Sequence, residues 1–308
     1  MTVNSHLNTF LNKKVETYSP AAGILAPATI VYRLENTYAD QKNGTSILNT
    51  IDAFAKDPKA GEITELIIGA FDFQSADSID GIVDRLVGLK DTFTSLKAIF
   101  IGDMTSEDCE ISWIQQSDLS PLLEAYPGLE HLQVRGGDGL SFGNLAHDHL
   151  RTLIIETGGL PSTVIKEVMN ARLPQLERLD LWLGSDNYGF DAKIEDFSPL
   201  LSGQRFPELR HLGLMNSEIQ DEVAAAVAQA PVLQQLKVLD LSMGTLTDTG
   251  GAALLNSKDI KRLDFLNLRR HYLSEEMMTR LKQLGIRINL DDQEEPEDDD
   301  YRYAEVTE

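Results

Sequence analysis

Residues 209–214 read Leu-Arg-His-Leu-Gly-Leu, and residues 236–241 (Leu-Lys-Val-Leu-Asp-Leu) and 263–268 (Leu-Asp-Phe-Leu-Asn-Leu) repeat the spacing. Five further segments carry looser copies of it. The residues at the fourth position of the eight copies are Leu66, Ile99, Leu132, Leu153, Leu179, Leu212, Leu239 and Leu266. They lie 33, 33, 21, 26, 33, 27 and 27 residues apart. Such a step holds one short strand and one helix but no core of its own, so each unit must bury its apolar face against its neighbours.

The repeats cover residues 61–290 and resemble those of the leucine-rich repeat superfamily. Their long, helix-containing steps look most like the ribonuclease-inhibitor subclass. The resemblance implies an α/β fold: a right-handed solenoid, or horseshoe, with a parallel concave sheet and helices on the convex side. Crossovers between parallel strands are right-handed in almost all proteins, which favours the same handedness.

A second resemblance is to a bacterial group of cytoplasmic leucine-rich-repeat proteins of unassigned function. The matching segments are residues 118–123 (Asp-Leu-Ser-Pro-Leu-Leu), 135–137 (Arg-Gly-Gly), 181–184 (Leu-Trp-Leu-Gly), Tyr188-Gly189 and Arg302-Tyr303. This resemblance implies no activity. The long repeats and acidic end are also similar to GTPase-activating proteins of nuclear-transport GTPases, which leaves a GTPase-regulating role as an alternative.

Both ends of the chain depart from the repeat. Residues 28–35 alternate like a strand and residues 46–56 have helical spacing, so we expect residues 1–60 to form an N-terminal cap over the first exposed edge. Residues 291–308 form an acidic C-terminal tail, with eight acidic residues among the first ten. Residues 301–306 alternate again, which predicts that they dock on the last repeat with Tyr301 and Tyr303 over its edge; an ordinary solubility tail is the alternative.

The composition excludes one class of partner. The chain has 308 residues with 27 basic and 49 acidic side chains, and its net charge of −22 would repel nucleic acid. The single cysteine, Cys109, cannot form an internal disulfide and suits a reducing compartment. The chain starts without a secretory signal, and its most apolar early stretch, residues 21–32, is too short to cross a membrane. We therefore expect a cytoplasmic monomer with no membrane partner.

Alternation along each strand predicts which side chains face the concave surface. Parallel strands would bring the polar and aromatic residues of the central repeats, and Arg269 of the last, onto one binding surface. These residues are His131, Arg135, Glu156, Arg178, Asp180, Trp182, His211 and Arg269. Tryptophan and arginine are enriched among interface hot spots, so we expect Trp182, Arg135 and Arg178 to anchor a partner. The alternative is an inert lattice of mutually paired charges.

Glycine-rich loops leave the same central strands at residues 135–139, 156–160 and 184–189. They could rim a small-ligand site above Trp182, with Gly136, Asp138, Asp186 and Tyr188 at the rim. The alternative is that these glycines only permit turns with positive φ.

Three catalytic or metal motifs are weak. Residues 139–143 (Gly-Leu-Ser-Phe-Gly) match a nucleophile pattern, but no helix is predicted directly after the serine. His147 and His149 lack a third metal ligand nearby, and acidic neighbours would raise the pKa of Cys109. We therefore expect no catalytic residue, metal or cofactor.

The sequence favours a non-catalytic binding scaffold that presents its concave surface to a protein or peptide partner. A small-ligand-binding protein or hydrolase that uses the loop rim above Trp182 is the alternative of a different class.

Overall fold

The leucine repeats form parallel strands whose fourth-position residues pair with one another. The structure, a computed structural model, describes residues 5–36, 40, 42–71, 78–297 and 301–308. Two compact units divide the chain: residues 1–143 with 147–150, and residues 144–146 with 151–308.

The described part of the first unit has six strands, in sequence order. They are β1 (Thr9–Phe10), β2 (Lys13–Thr17), β3 (Ile30–Leu34), β4 (Glu65–Ile68), β5 (Ala98–Ile101) and β6 (His131–Arg135). β1 and β2 are antiparallel, and β2 to β6 pair in parallel. Leu66, Ile99 and Leu132 are register partners and are fully buried, which confirms the predicted repeat register in this unit.

Among its described residues, the second unit has six parallel strands. They are β7 (Thr152–Glu156), β8 (Arg178–Gly184), β9 (His211–Ser217), β10 (Val238–Asp240), β11 (Phe265–Asn267) and β12 (Arg287–Asn289). The fourth-position residues pair from Leu153 through to Leu266, which pairs with Ile288 of β12. Their leucines are fully buried, as the repeat pattern predicts.

Helices lie between most neighbouring repeat strands, as the length of the repeat step predicts. They are α1 (Ile47–Ala55), α2 (Ile79–Gly88), α3 (Ser120–Ala125), α4 (Ser162–Asn170), α5 (Ser198–Leu201), α6 (Gln220–Gln229), α7 (Asp248–Leu255) and α8 (Glu275–Lys282). Short 3-10 helices span Ala60–Glu62, Ile111–Trp113, Asp186–Tyr188, Ile194–Phe197, Pro231–Gln234 and Ile260–Arg262. Ser46, Thr247 and Ser274 cap α1, α7 and α8 by accepting backbone hydrogen bonds. In the described part of the chain, no helix has the length and apolar character needed to cross a membrane.

The N-terminal segment contains the predicted strand and helix, as β3 and α1, and also two strands that the pattern did not reveal. β2 and β3 extend the parallel sheet beyond the first leucine repeat. Phe10 of β1 packs in a buried cluster with Ile67, Ala98 and Phe100, which are third- or fifth-position residues of their repeats. The N-terminal segment therefore covers the sheet face that was expected to be open in this unit.

A left-handed residue lies at the end of β9 and after each of β10, β11 and β12. Asn216, Met243, Arg270 and Asp292 have φ of 54°, 70°, 58° and 59°. Each stands four positions after the fourth-position residue of its repeat. The N–H groups of the first three donate to the carbonyls of Ser242, Arg269 and Asp291 in the next repeat. The strand pairing thus continues into a regular series of turns.

The C-terminal segment docks on the second unit, as the alternation of residues 301–306 predicts, but different side chains are buried. Ala304 and Val306 are 2% and 9% exposed, whereas Tyr301 and Tyr303 are 57% and 40% exposed. The prediction that the tyrosines cover an edge is therefore wrong, because the smaller alternate residues face the protein. The preceding acidic run is mostly exposed between residues 291 and 297, and its residues 298–300 lie outside the described part.

Candidate functional site

Arg135, a predicted anchor, is an internal residue of the first unit. Its side chain is 1% exposed, and Nη1 donates to the Met104 carbonyl at 2.5 Å. The same nitrogen lies 3.8 Å from a carboxylate oxygen of the buried Asp103, and the guanidinium stacks over the Phe100 ring. Arg135 therefore stabilises the fold here and does not present its charge to a partner.

His131, on the same strand, is also covered. Its ring meets the edge of Phe10 at a centroid distance of 5.1 Å, and the residue is 8% exposed. Phe10 belongs to the N-terminal segment. His131 is therefore covered by a residue that is far from it in the sequence.

Trp182 is a core residue of the second unit. It is 1% exposed although it stands in the position where alternation predicts a surface side chain. Glu156 is fully buried. The expectation that Trp182 and Glu156 contact a partner is therefore wrong for this structure, and a change at Trp182 would remove core packing.

Asp180 lies at the centre of a charged group on β8 and β9. Arg178 Nε and Nη2 donate to its Oδ2 at 2.8 and 2.5 Å, and His211 Nε2 lies 3.1 Å from Oδ1. The contact between His211 Nε2 and Asp180 Oδ1 does not have the geometry of a hydrogen bond, so the two side chains interact electrostatically. Burial opposes ionisation of Asp180, but His211 and Arg178 outweigh it and hold the pKa of the carboxyl below its usual value. Three of the predicted binding residues, Arg178, Asp180 and His211, are therefore paired with one another.

The third position of the second-unit repeats forms a row of half-buried to exposed side chains, which we call the third-position row. It consists of Thr152, Arg178, His211, Val238, Phe265 and Arg287. These residues are register partners on consecutive strands. Arg178 keeps 40% of its side chain exposed, and the Arg287 guanidinium lies 4.5 Å from the centroid of the Phe265 ring. The row presents cationic, aliphatic and aromatic groups along one line.

Arg269 meets the C-terminal residues. Its Nη1 lies 2.7 Å from Asp292 Oδ2, and its Nη2 donates to both Glu305 carboxylate oxygens at 2.7 and 2.5 Å. This predicted binding residue is thus engaged within the chain.

The glycine loops are explained by close approach of backbone. A Cβ on Gly136, where φ is +104°, would lie 2.5 Å from the Ile114 carbonyl oxygen. On Gly184, where φ is +75°, it would lie 1.8 Å from the Gly158 carbonyl oxygen. Asp138 and Asp186 are exposed, and Tyr188 donates its hydroxyl to Glu308 Oε1 at 2.6 Å. The positive-φ interpretation of Gly136 and Gly184 is confirmed, and the tryptophan expected beneath the rim is buried.

The residues of the weak catalytic motifs make hydrogen bonds to the backbone or are partly buried. The Ser141 N–H donates to the Ser117 carbonyl outside any strand-to-helix turn of the nucleophile type. His147 Nε2 lies 3.1 Å from the Tyr126 carbonyl oxygen, and its Nδ1 accepts the Leu150 N–H. Burial, with Glu110 and Asp108, raises the pKa of the Cys109 thiol to about 11. Within the described ranges, no three His, Cys, Asp or Glu side chains cluster as metal ligands would.

One cavity of about 530 Å³ lies elsewhere in the second unit, between α5 and α6. Ile194, Leu201, Glu222 and Pro231 are among its lining residues, and it contains none of the predicted rim residues.

Sequence reasoning placed Val238 and Phe265 in the third position but did not select them as site residues. Site residues were chosen for charge or for tryptophan, so these two apolar residues were left out. Their shared third position was the signal that could have identified them. Arg287 was likewise not selected as a site residue, and its strand lacks the full leucine hexapeptide.

The fold and the third-position row define an α/β repeat protein whose leucine-rich strands build mostly parallel sheets. No protein-family model matches the chain, and no curated protein matches it. Among solved structures, it is 35% identical to a protein from Bacteroides fragilis, with a TM-score of 0.82 over 89% of this chain and 76% of that one. The chain belongs to the same family as this Bacteroides fragilis protein.

An internalin from Listeria monocytogenes is 15% identical over 87% of this chain and 69% of its own. Its TM-score of 0.39 is too low to support an argument about fold or function.

Proposed function

We propose that this protein is a non-catalytic scaffold that binds a protein or peptide partner along the third-position row. We also propose that the protein is a right-handed horseshoe of the ribonuclease-inhibitor subclass, in which residues 1–60 form the cap and residues 61–290 the repeats. A cytoplasmic location is part of the same proposal.

The partial exposure of the third-position row supports the proposed binding function. Arg178, His211, Val238 and Phe265 are partly exposed on four neighbouring strands, while the fourth-position leucines beside them are buried. A row on rigid strands loses little conformational freedom when a partner binds, which favours affinity. Arginine and aromatic residues are also the types enriched at interface cores.

Charge favours a partner that carries acidic and apolar groups. The chain is strongly acidic, with a net charge of −22, yet Arg178 and Arg287 bring positive groups to the row. Asp180 holds the Arg178 guanidinium in place, so its orientation is set before a partner arrives. Preorganised charge of this kind contributes mainly to specificity and to the rate of association.

The experiment is photo-crosslinking in cells of the native host, with a photoreactive phenylalanine derivative at position 265. The matched control carries the derivative at Glu276, an exposed position of α8. We expect a defined protein adduct from position 265 that is lost when Arg178→Glu is added. An adduct formed only from position 276 would contradict the proposal.

The small-ligand or hydrolase alternative depended on access to Trp182. Because that side chain is 1% exposed, no observation favours this alternative.

A further inference from the structure

The last residues of the chain cross three repeats of the second unit in succession. The Tyr303 carbonyl accepts a hydrogen bond from Arg270 Nη1 at 2.5 Å. The Glu305 N–H donates to the Met243 carbonyl at 2.8 Å. Val306 donates its N–H to Asn216 Oδ1 at 2.9 Å, and its carbonyl accepts from Asn216 Nδ2 at 2.5 Å.

The groups that hold this segment recur with the repeat. Arg270 and Met243 are left-handed residues that follow β11 and β10, and Asn216 is the left-handed penultimate residue of β9. Left-handed backbone is uncommon for residues other than glycine and carries a conformational cost. Its occurrence in three consecutive repeats gives each of these repeats one residue at the same position that hydrogen-bonds the segment. We call the surface formed by Asn216, Met243, Arg269, Arg270 and Tyr272 the strand-end groove.

Most of these hydrogen bonds involve the backbone of the bound segment, so they require an extended chain more than a particular sequence. Three side chains supply the sequence preference. Ala304 and Val306 are buried, and Glu305 between them pairs with Arg269. The groove therefore accommodates a small residue, an acid and a β-branched residue in that order.

The apolar part of this contact is small. Tyr301 and Tyr303 are 57% and 40% exposed. The apolar residues of the segment that are less than a tenth exposed are Ala304 and Val306. The segment is attached through residues 291–297, which are mostly exposed and include five acidic residues. A tethered ligand of this kind competes at an effective concentration on the order of millimolar.

We propose that the strand-end groove is a peptide-binding site, and that residues 303–306 are a tethered occupant displaced by an extended segment of a partner protein. The segment it takes carries a small, an acidic and a β-branched residue in succession. Charge favours a different protein over a second copy of this chain, since each copy would bring its own acidic tether to a chain of net charge −22. This proposal is independent of the third-position row.

The probe is a fluorescein-labelled peptide with the sequence of residues 301–308, and fluorescence anisotropy measures its binding to the full-length chain. In the double variant Ala304→Asp/Val306→Asp, the tethered segment is disfavoured while the groove stays intact. We expect this variant to bind the probe about 10-fold or more tightly than the unaltered chain, because the intramolecular competitor is weakened. Tyr301→Asp is the matched control, since that exposed residue should leave the competitor in place.

A third substitution tests the groove itself. Asn216→Gly tolerates the φ of 54° but removes both hydrogen bonds to Val306. Added to the double variant, it should return probe binding to the low level of the unaltered chain, while circular dichroism checks that the fold is kept. Two results would overturn the proposal. One is a folded triple variant that binds the probe as tightly as the double variant. The other is equal binding of the probe by the unaltered chain and the double variant. A concentration-dependent dimer of the unaltered chain that the probe dissociates would replace the partner protein with a second copy and likewise overturn it.

Discussion

His271 is a fully buried histidine in the turn after β11. Its Nδ1 accepts the Leu273 N–H at 3.1 Å, so the proton of the neutral ring is on Nε2, which lies 3.2 Å from the Leu290 carbonyl oxygen. Burial disfavours the charged ring and holds the pKa of His271 below its usual value of 6.5. The folded chain therefore prefers the neutral form.

This preference predicts a pH dependence of stability. Below about pH 6.5 the unfolded chain takes up a proton at this position more readily than the folded chain, so the free energy of unfolding should fall as the pH falls. Urea unfolding at pH 7.5 and 5.5 measures the effect. His271→Asn should reduce the difference between the two pH values, whereas the exposed His149→Asn should not. An unchanged difference in His271→Asn would show that other groups cause the dependence.

Gly184 illustrates a backbone requirement at a single residue. Its φ of +75° and the closeness of the Gly158 carbonyl leave no space for a side chain. We expect Gly184→Ala to lower the free energy of unfolding by about 2 kcal/mol or more. Gly88→Ala is the control, because a Cβ there meets nothing within 4 Å and lies at the end of α2. Equal stability of the two variants in denaturant unfolding would contradict this explanation.

At the scale of the element, each repeat strand contributes one leucine to a continuous buried line. Leu212 and Leu239 are register partners and are fully buried. Replacing either by alanine should cost about 2–5 kcal/mol, because it leaves a cavity that neighbouring repeats fill only partly. Chemical denaturation measures the loss. Leu25→Ala, at a side chain 62% exposed, is the matched control and should change stability little.

At the scale of the whole molecule, the end of the chain contributes to the second unit. Val306→Asp would place a charge at a side chain that is 9% exposed, and we expect it to destabilise by about 1–3 kcal/mol. Tyr301→Asp adds the same charge at an exposed position and should change little. Thermal unfolding followed by circular dichroism compares the two. Equal melting temperatures would mean that the docked segment adds no stability.

The sequence by itself determined the repeat and its register. The fourth-position residues, from Leu66 to Leu266, are buried as predicted, and helices lie between most neighbouring repeat strands. These features could be predicted because strand and helix periodicities are local, and because repetition tests each assignment several times along one chain. The alternation of residues 301–306 predicted that they dock, but on the last repeat and through the tyrosines, whereas the segment contacts three repeats and buries Ala304 and Val306.

Only the tertiary structure decided which surfaces remain accessible. Arg135 and Trp182 have the alternation expected of surface residues, yet both are buried. Phe10 covers His131, and Glu305 pairs with Arg269, so both terminal segments occupy places that the repeats alone would leave open. Periodicity specifies the direction of a side chain relative to its strand. Whether a distant segment packs over that side chain depends on long-range contacts, which leave no periodic trace in the sequence.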